Sequence, residues 1–301
     1  MRFQDRSMST YNDKSASAGK REVRFSKMHG AGNDYIYLNG FEAIPEDLSK
    51  LAVEVSDRHF GVGSDGLVVI CPSDVADFRM RMYNSDGSEA EMCGNASRCI
   101  GKYVYDRGLT DKTEVTLETL AGIKVLKLHV ENGEVTEVTV DMGEPELRPD
   151  RVPVVSTSAD RMINERITVN NTEYDITAVS MGNPHAVVFV NEITDEQVLG
   201  RGPELERAEV FPRKANIEFA RVVDRGHVEM RVWERGTGET LACGTGACAT
   251  AVAAVLNGHT DREVDIVLRG GTLHIRWDEA TNHVMMTGPA RFVCDGSFYR
   301  Y

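Results

Sequence analysis

The sequence has no long hydrophobic run. Its longest nearly apolar stretch, Ala247 to Leu256, is well short of the ~20 residues a bilayer-crossing helix needs, so no membrane span is expected. Basic charge is also scarce: 34 Lys and Arg stand against 47 Asp and Glu, a net charge of -13. Without a basic face to neutralise phosphates, neither nucleic acid nor an acidic membrane surface is an expected partner, and a small polar ligand is. Cysteine is sparse, at six in 301 residues, and no Cys-x-x-Cys or His-x-His pair accompanies it. A disulfide framework and a zinc site are both disfavoured, and the expected location is a reducing cytoplasm in which cysteines serve packing or chemistry.

What remains is an ordinary globular composition, 41% hydrophobic and 27% charged, with length for about two domains of ~150 residues each. The chain repeats itself. A shift of 150 residues carries Asp77–Asn95, DFRMRMYNSDGSEAEMCGN, onto His227–Thr245, HVEMRVWERGTGETLACGT, with Met80, Arg81, Glu89 and Cys93-Gly94 falling on Met230, Arg231, Glu239 and Cys243-Gly244. The same shift takes Gly32-Asn33 onto Gly182-Asn183. Anchors at one constant offset, with no gap, read as a duplicated domain. The expected organisation is a disordered polar tail over residues 1–22, an N-terminal domain over 23–141 to which 288–301 return, and a C-terminal domain over 142–287. Asp5, Asp13 and Glu22 argue against a transit peptide in the tail.

Short alternating segments predict strands in both halves, such as Gly66 to Cys71, Asp77 to Tyr83, Glu134 to Asp141, Asn216 to Val223 and His227 to Trp233. Asn132-Gly133 predicts a hairpin turn. Helices are expected over Pro45 to Val55, Asn95 to Arg107, Asp195 to Arg207 and Thr245 to Leu256, with Gly108 and Asn257-Gly258 as stops. Many strands with two or three helices per half give an α+β fold.

In each half a strand runs through a glycine-containing loop into a helix, and Cys-Gly opens that helix. Backbone N–H groups there favour negative charge, which predicts a lowered thiol pKa at Cys93 and Cys243 and a carboxylate-binding site at Gly94-Asn95 and Gly244-Thr245. Cys99 and Cys248 do not correspond under the shift and are expected to be core residues, like Cys71 and Cys294. If the two helix starts face one cleft, a bound molecule has one thiol on each side. A thiolate and a thiol so placed can remove a proton from one face of a carbon and return one to the other. Gly61-Val62-Gly63-Ser64-Asp65-Gly66 matches a dinucleotide fingerprint, but Leu67-Val68-Val69-Ile70 continues it as a strand rather than the required helix. A cysteine hydrolase would need one thiol, with His185 as its base, rather than a symmetric pair.

In order along the chain, Met28 to Asp34 (MHGAGND), Tyr83 to Gly87 (YNSDG), Met92 to Asn95 (MCGN), Gly182 to His185 (GNPH), Asn216 to Phe219 (NIEF), and Trp233 to Gly236 with Cys243 to Gly246 (WERG, CGTG) resemble the diaminopimelate epimerase family. The resemblance runs from about Val23 to the C-terminus. It implies two similar mixed β/α domains, each a barrel-like sheet around a central helix, with the active site in the cleft between them. It also implies a cofactor-independent epimerase interconverting LL- and meso-2,6-diaminoheptanedioate in lysine and peptidoglycan precursor synthesis, as a possible homodimer. By that resemblance Cys93 and Cys243 are the catalytic thiols, and His185 and Glu234 help move protons. Asn33, Asn84, Asn183, Asn216 and Arg235 bind the substrate's distal end, Gly94, Asn95, Gly244 and Thr245 bind the reacting carboxylate, and Glu234 also touches substrate. Gly66 departs from a common glutamine and Ala96 from a common glycine. The alternatives are a two-thiol enzyme of the proline racemase or 4-hydroxyproline epimerase type, and a non-catalytic amino-acid-binding protein.

Overall fold

The protein is described by a computed structural model covering residues 21–300. Most of the tail expected over 1–22 therefore lies outside the described residues, and the first strand already begins at Arg21.

The first half contains β1 (Arg21–Gly30), β2 (Asn33–Asn39), α1 (Leu48–Ser56), β3 (Gly66–Cys71), β4 (Phe78–Asn84), β5 (Glu89–Ala90), α2 (Gly94–Asp106), β6 (Glu114–Thr119), β7 (Gly122–Glu131) and β8 (Glu134–Asp141). The second half contains β9 (Glu165–Val169), β10 (Thr172–Ser180), β11 (Pro184–Phe189), a π-helical turn (Glu196–Arg201), α3 (Gly202–Glu206), β12 (Asn216–Asp224), β13 (His227–Glu234) and β14 (Gly238–Glu239). It continues with α4 (Gly244–Leu256), β15 (Glu263–Leu268), β16 (Gly271–Trp277) and β17 (Val284–Pro289), and the chain closes with β18 (Arg291–Arg300). The repeat is retained in three dimensions: α2 and α4 begin and end 150 residues apart.

The pairing pattern repeats too. β1–β2, β3–β4, β6–β7 and β7–β8 are antiparallel, while β2–β3 and β4–β6 are parallel. In the second half β10–β11, β12–β13, β15–β16 and β16–β17 are antiparallel, with β11–β12 and β13–β15 parallel. The halves join where β8 pairs antiparallel with β17, and β18 pairs along β1. The result is a single mixed sheet that curls around α2 in one half and α4 in the other. No pairing of β1 with β8 closes the first half among the described residues, so the sheet is open there.

Both curled faces bury one helix almost completely. In α4 the alanines Ala247, Ala249, Ala251, Ala253 and Ala254 are all buried, as a helix surrounded by sheet requires. One hydrophobic core runs through both halves, joining Met28, Ile100 and Val140 to Val252, Ile275 and Met286. Smaller clusters lie behind it, under α1 and under α3.

Local deviations have local causes. α1 begins at Leu48, with the side chain of Asp47 accepting from the Lys50 amide, so Pro45 stands before the cap instead of inside the helix. The helix expected over Asp195 to Arg207 is a π-helical turn running into α3. Pro203 has no amide to donate, and the ladder changes type at that point. The hairpin at Asn132 (φ 52°) and Gly133 (φ 84°) has the left-handed pair of residues a two-residue turn needs.

Candidate active site

Each half brings one cysteine to the same place. Cys93 is extended (φ −138°, ψ 121°) and α2 starts at Gly94; Cys243 is likewise extended (φ −119°, ψ 108°) before α4 starts at Gly244. An extended cap residue before a helix turns its side chain toward the first free amides. The Gly246 amide donates to Cys243 Sγ at 3.4 Å, and Thr245 Oγ1 lies 3.5 Å from the same sulfur. Packing is close at both first helical positions, against the end of one methionine side chain. A Cβ at Gly94 would come within 2.5 Å of Met286 Cε, and one at Gly244 within 3.1 Å of Met286 Sδ. A single methionine of β17 thus lies against both helix starts.

The surroundings of the two thiols are linked through Asn95. Asp65 Oδ2 accepts from Asn33 Nδ2 at 2.8 Å, which fixes that amide and leaves Asn33 Oδ1 as an acceptor. Asn95 Nδ2 donates to Asn33 Oδ1 at 3.2 Å, and Cys93 Sγ lies 3.4 Å from the same oxygen. The Asn95 amide also reaches the carbonyl of Ala242, the residue before Cys243, at 3.4 Å. Beside this junction opens a cavity of about 980 Å³, lined by Asn33, Tyr35 and Asn84 of the first half and Glu234, Thr240 and Ala242 of the second. Its size suits a small ligand.

Burial governs the acidities. It pushes the Cys93 thiol up, although the Ala96 and Asn95 amides and Arg98 oppose it. It pushes Cys243 well up, reinforced by the Glu234 and Glu218 carboxylates. The lowered thiol pKa expected from the helix starts is therefore not found: the cost of removing a thiolate from water exceeds what a few N–H groups return. Burial also raises the Glu234 carboxyl, against hydrogen bonds from Thr240 and Cys243. Once formed in this site, a thiolate is a stronger base than a free one.

Behind Cys243 lies a buried polar layer. His185 is completely buried, with Nδ1 2.6 Å from Glu218 Oε1 and Nε2 3.0 Å from Asn183 Oδ1. Asn216 is opposite His185 in the parallel register of β11 and β12. Its amide is committed to backbone, donating to Pro184 O at 3.0 Å and accepting from the Arg235 amide at 2.9 Å. Arg235 itself is exposed, and among the described residues its guanidinium donates to the Arg213 carbonyl, at 3.2 Å. Asn84 holds Ser88 Oγ at 3.0 Å on the far wall of the cavity.

Asn33, Asn84 and Glu234 thus line the cavity, whereas His185 and Asn216 sit in the buried layer behind it and the half-exposed Asn183 contacts His185 Nε2. Four residues that the sequence reading passed over are built into the junction: Asp65, Arg98, Glu218 and Thr240. One carried a visible signal, Glu218 between the apolar residues Ile217 and Phe219 of β12.

The sequence profile described as diaminopimelate epimerase matches residues 25–148 and 177–293. A diaminopimelate epimerase of Desulfovibrio desulfuricans is 57% identical over 282 residues, covering 92% of this chain and 98% of the relative. The chain belongs to the diaminopimelate epimerase family. A diaminopimelate epimerase of Methanococcus maripaludis is 55% identical over 274 residues, covering 91% of this chain and 99% of the relative. The fold is shared more widely. A PhzF-family phenazine biosynthesis protein of Bacillus anthracis superposes with TM-score 0.66 at 18% identity, covering 92% and 99% of the two chains. A hydroxyproline epimerase of Agrobacterium vitis with bound trans-4-hydroxy-L-proline gives TM-score 0.65 at 15% identity, covering 94% and 93%. For this diaminopimelate epimerase family member those two likenesses concern architecture alone.

Proposed function

We propose that this chain interconverts LL- and meso-2,6-diaminoheptanedioate, using Cys93 and Cys243 on opposite faces of the reacting α-carbon. The observation that carries the reading is the meeting of two equivalent helix starts, each capped by a cysteine and joined through Asn95, beside a cavity lined by Asn33, which touches Cys93, and by Ala242, which precedes Cys243. Family membership supplies the substrate.

The chemistry follows from the thiols' surroundings. One sulfur, as thiolate, takes the α-proton; the other, as thiol, gives a proton to the opposite face. The configuration inverts and the two thiols exchange protonation states. Asn33 Oδ1 can only accept, so the Cys93 thiol is protonated in this arrangement, and Cys243, which accepts from the Gly246 amide, donates to Glu234; either thiol serves as the acid once the other has lost its proton. The α-proton is far less acidic than an ordinary thiol, and the reaction needs both a strong base and a stabilised carbanion. Burial of the sulfurs gives the first. The amides of Gly94, Gly244 and Thr245, aimed at the α-carboxylate where the charge spreads, give the second. Glu234, on which both sulfurs bear electrostatically, and His185 are the proton-moving partners. Arg235 has no carboxylate partner among the described residues and suits the substrate's distal carboxylate, with the asparagines around the distal amine.

The test offers the purified protein LL-2,6-diaminoheptanedioate and, separately, L-proline and trans-4-hydroxy-L-proline, with products resolved on a chiral phase. Formation of the meso isomer supports the reading. Faster inversion of either proline substrate, or inversion of none, overturns it.

A further inference from the structure

Arg98 is a charged residue in the middle of the molecule. It is completely buried on α2, one turn after Cys93, and forms no ion pair among the described residues. A guanidinium keeps its proton in proteins, so a full positive charge sits in the shared core without a carboxylate beside it. Such a charge is costly unless hydrogen bonds or a transient anion compensate it.

Its place is built for it. Arg98 donates to Asn95 Oδ1 at 2.8 Å and to Pro289 O at 3.3 Å, and it approaches Met286 Sδ at 3.6 Å. Two glycines clear the space, one from each half. A Cβ on Gly30 would lie 2.9 Å from an Arg98 terminal nitrogen, and one on Gly288 would lie 3.3 Å from Arg98 Nε. The partners matter more than their number. Asn95 carries the hydrogen bonds to Asn33 Oδ1, beside Cys93, and to Ala242 O, beside Cys243. Met286 is the residue packed against both Gly94 and Gly244. Arg98 therefore holds both groups that set how the two helix starts meet.

We propose that Arg98 is a positioning residue for the two-thiol reaction: through Asn95 it fixes the junction between the helix starts, and its unpaired charge favours the anion that forms there during turnover. The proposal rests on the two-thiol reading. By accepting from Arg98 with Oδ1, Asn95 is forced to present Nδ2 to Asn33 and Ala242, and the amide has no alternative orientation that keeps all three bonds. The charge also acts on Cys93 directly, pulling its thiol down against burial. Lysine in place of Arg98 would keep the charge but not the fork that serves Asn95, Pro289 and Met286 together.

The test compares wild type, Arg98→Lys and Arg98→Met for kcat and KM on LL-2,6-diaminoheptanedioate. It also measures the pH midpoint for alkylation of Cys93 by iodoacetamide, followed site by site by mass spectrometry. Arg98→Lys is expected to lose at least ~10-fold in kcat with KM within twofold, because binding groups are untouched and the junction is loosened. Arg98→Met is expected to lose more, and to move the Cys93 alkylation midpoint upward. A merely structural arginine would move stability and leave that midpoint in place. If Arg98→Met does not fold, Arg98→Lys decides alone through its kcat against KM split. Wild-type kcat in Arg98→Lys, or an unshifted Cys93 midpoint in a folded Arg98→Met, overturns the proposal. Failure of wild type itself to form the meso isomer would overturn the two-thiol reading instead, and the alkylation midpoint distinguishes the two failures because it needs no substrate.

Discussion

His185 and Glu218 form a closed pair: Nδ1 and Oε1 are 2.6 Å apart and neither side chain has any exposed surface. Among the described residues Glu218 Oε2 has no hydrogen-bond partner, so Oε1, through His185, carries the pair's only polar contact. Glu218 also sits against Gly246, where a Cβ would come within 2.8 Å of Oε1, and therefore beside the amide that serves Cys243.

Breaking this pair from one side is expected to be severe. His185→Phe leaves an uncompensated buried carboxylate and should lower stability by about 3–5 kcal/mol. The double variant His185→Phe, Glu218→Leu should recover part of that loss. Urea titrations check both; a double variant less stable than His185→Phe alone contradicts the account.

Cys93→Ser and Cys243→Ser each remove one of the two proton carriers. A serine hydroxyl ionises far too weakly to replace a thiolate. Each variant should lose roughly 10³-fold or more in kcat, within the range of a lost acid or base, while keeping the wild-type melting temperature. Near-normal turnover in either one is the contrary result.

Arg235 contributes no ion pair among the described residues, and its side chain is exposed. Arg235→Met should leave stability within ~0.5 kcal/mol and lower kcat/KM by roughly 30-fold or more, the worth of a charge-assisted hydrogen-bond pair. Isothermal binding and steady-state kinetics test it, and an unchanged kcat/KM would remove Arg235 from the distal carboxylate.

Alkaline pH should unfold the protein through its core thiols. Burial pushes Cys99 up from 9.0 to about 11 and Cys248 up to about 12. A folded pKa above the unfolded one means that stability is full below pH 9 and falls as pH rises toward 11 and 12, because the unfolded chain sheds protons that the native state retains. Each raised unit is worth about 1.4 kcal/mol. Urea midpoints should fall steeply between pH 9 and 11 in wild type and less steeply in Cys248→Ala; parallel curves would refute the linkage.

The parts of this molecule that were legible in its sequence are those that repeat. The offset that joins Cys93 to Cys243 located α2, α4 and the strands feeding them, and alternation located β4, β8 and β13. The two-residue strands β5 and β14 have no periodicity to read, since only their pairing with Met82-Tyr83 and Trp233-Glu234 defines them. Prediction failed where burial decides. The acidity of the cysteines depends on how deeply the sheet encloses the helix starts, and nothing local at Cys-Gly encodes that depth. Arg98 was not singled out, and Glu218 was read only as a letter of the NIEF block, because a buried charge acquires meaning only when its partners, Asn95 and His185, are brought to it by the fold.

The most direct measurement concerns the α-hydrogen. LL-2,6-diaminoheptanedioate is turned over in deuterium oxide, and product and recovered substrate are analysed by mass spectrometry at low conversion. Two thiols on opposite faces predict one solvent deuterium at the inverted carbon of the meso product and almost none in the recovered LL isomer. A product that keeps its original α-hydrogen would show one base serving both faces, and would contradict the account.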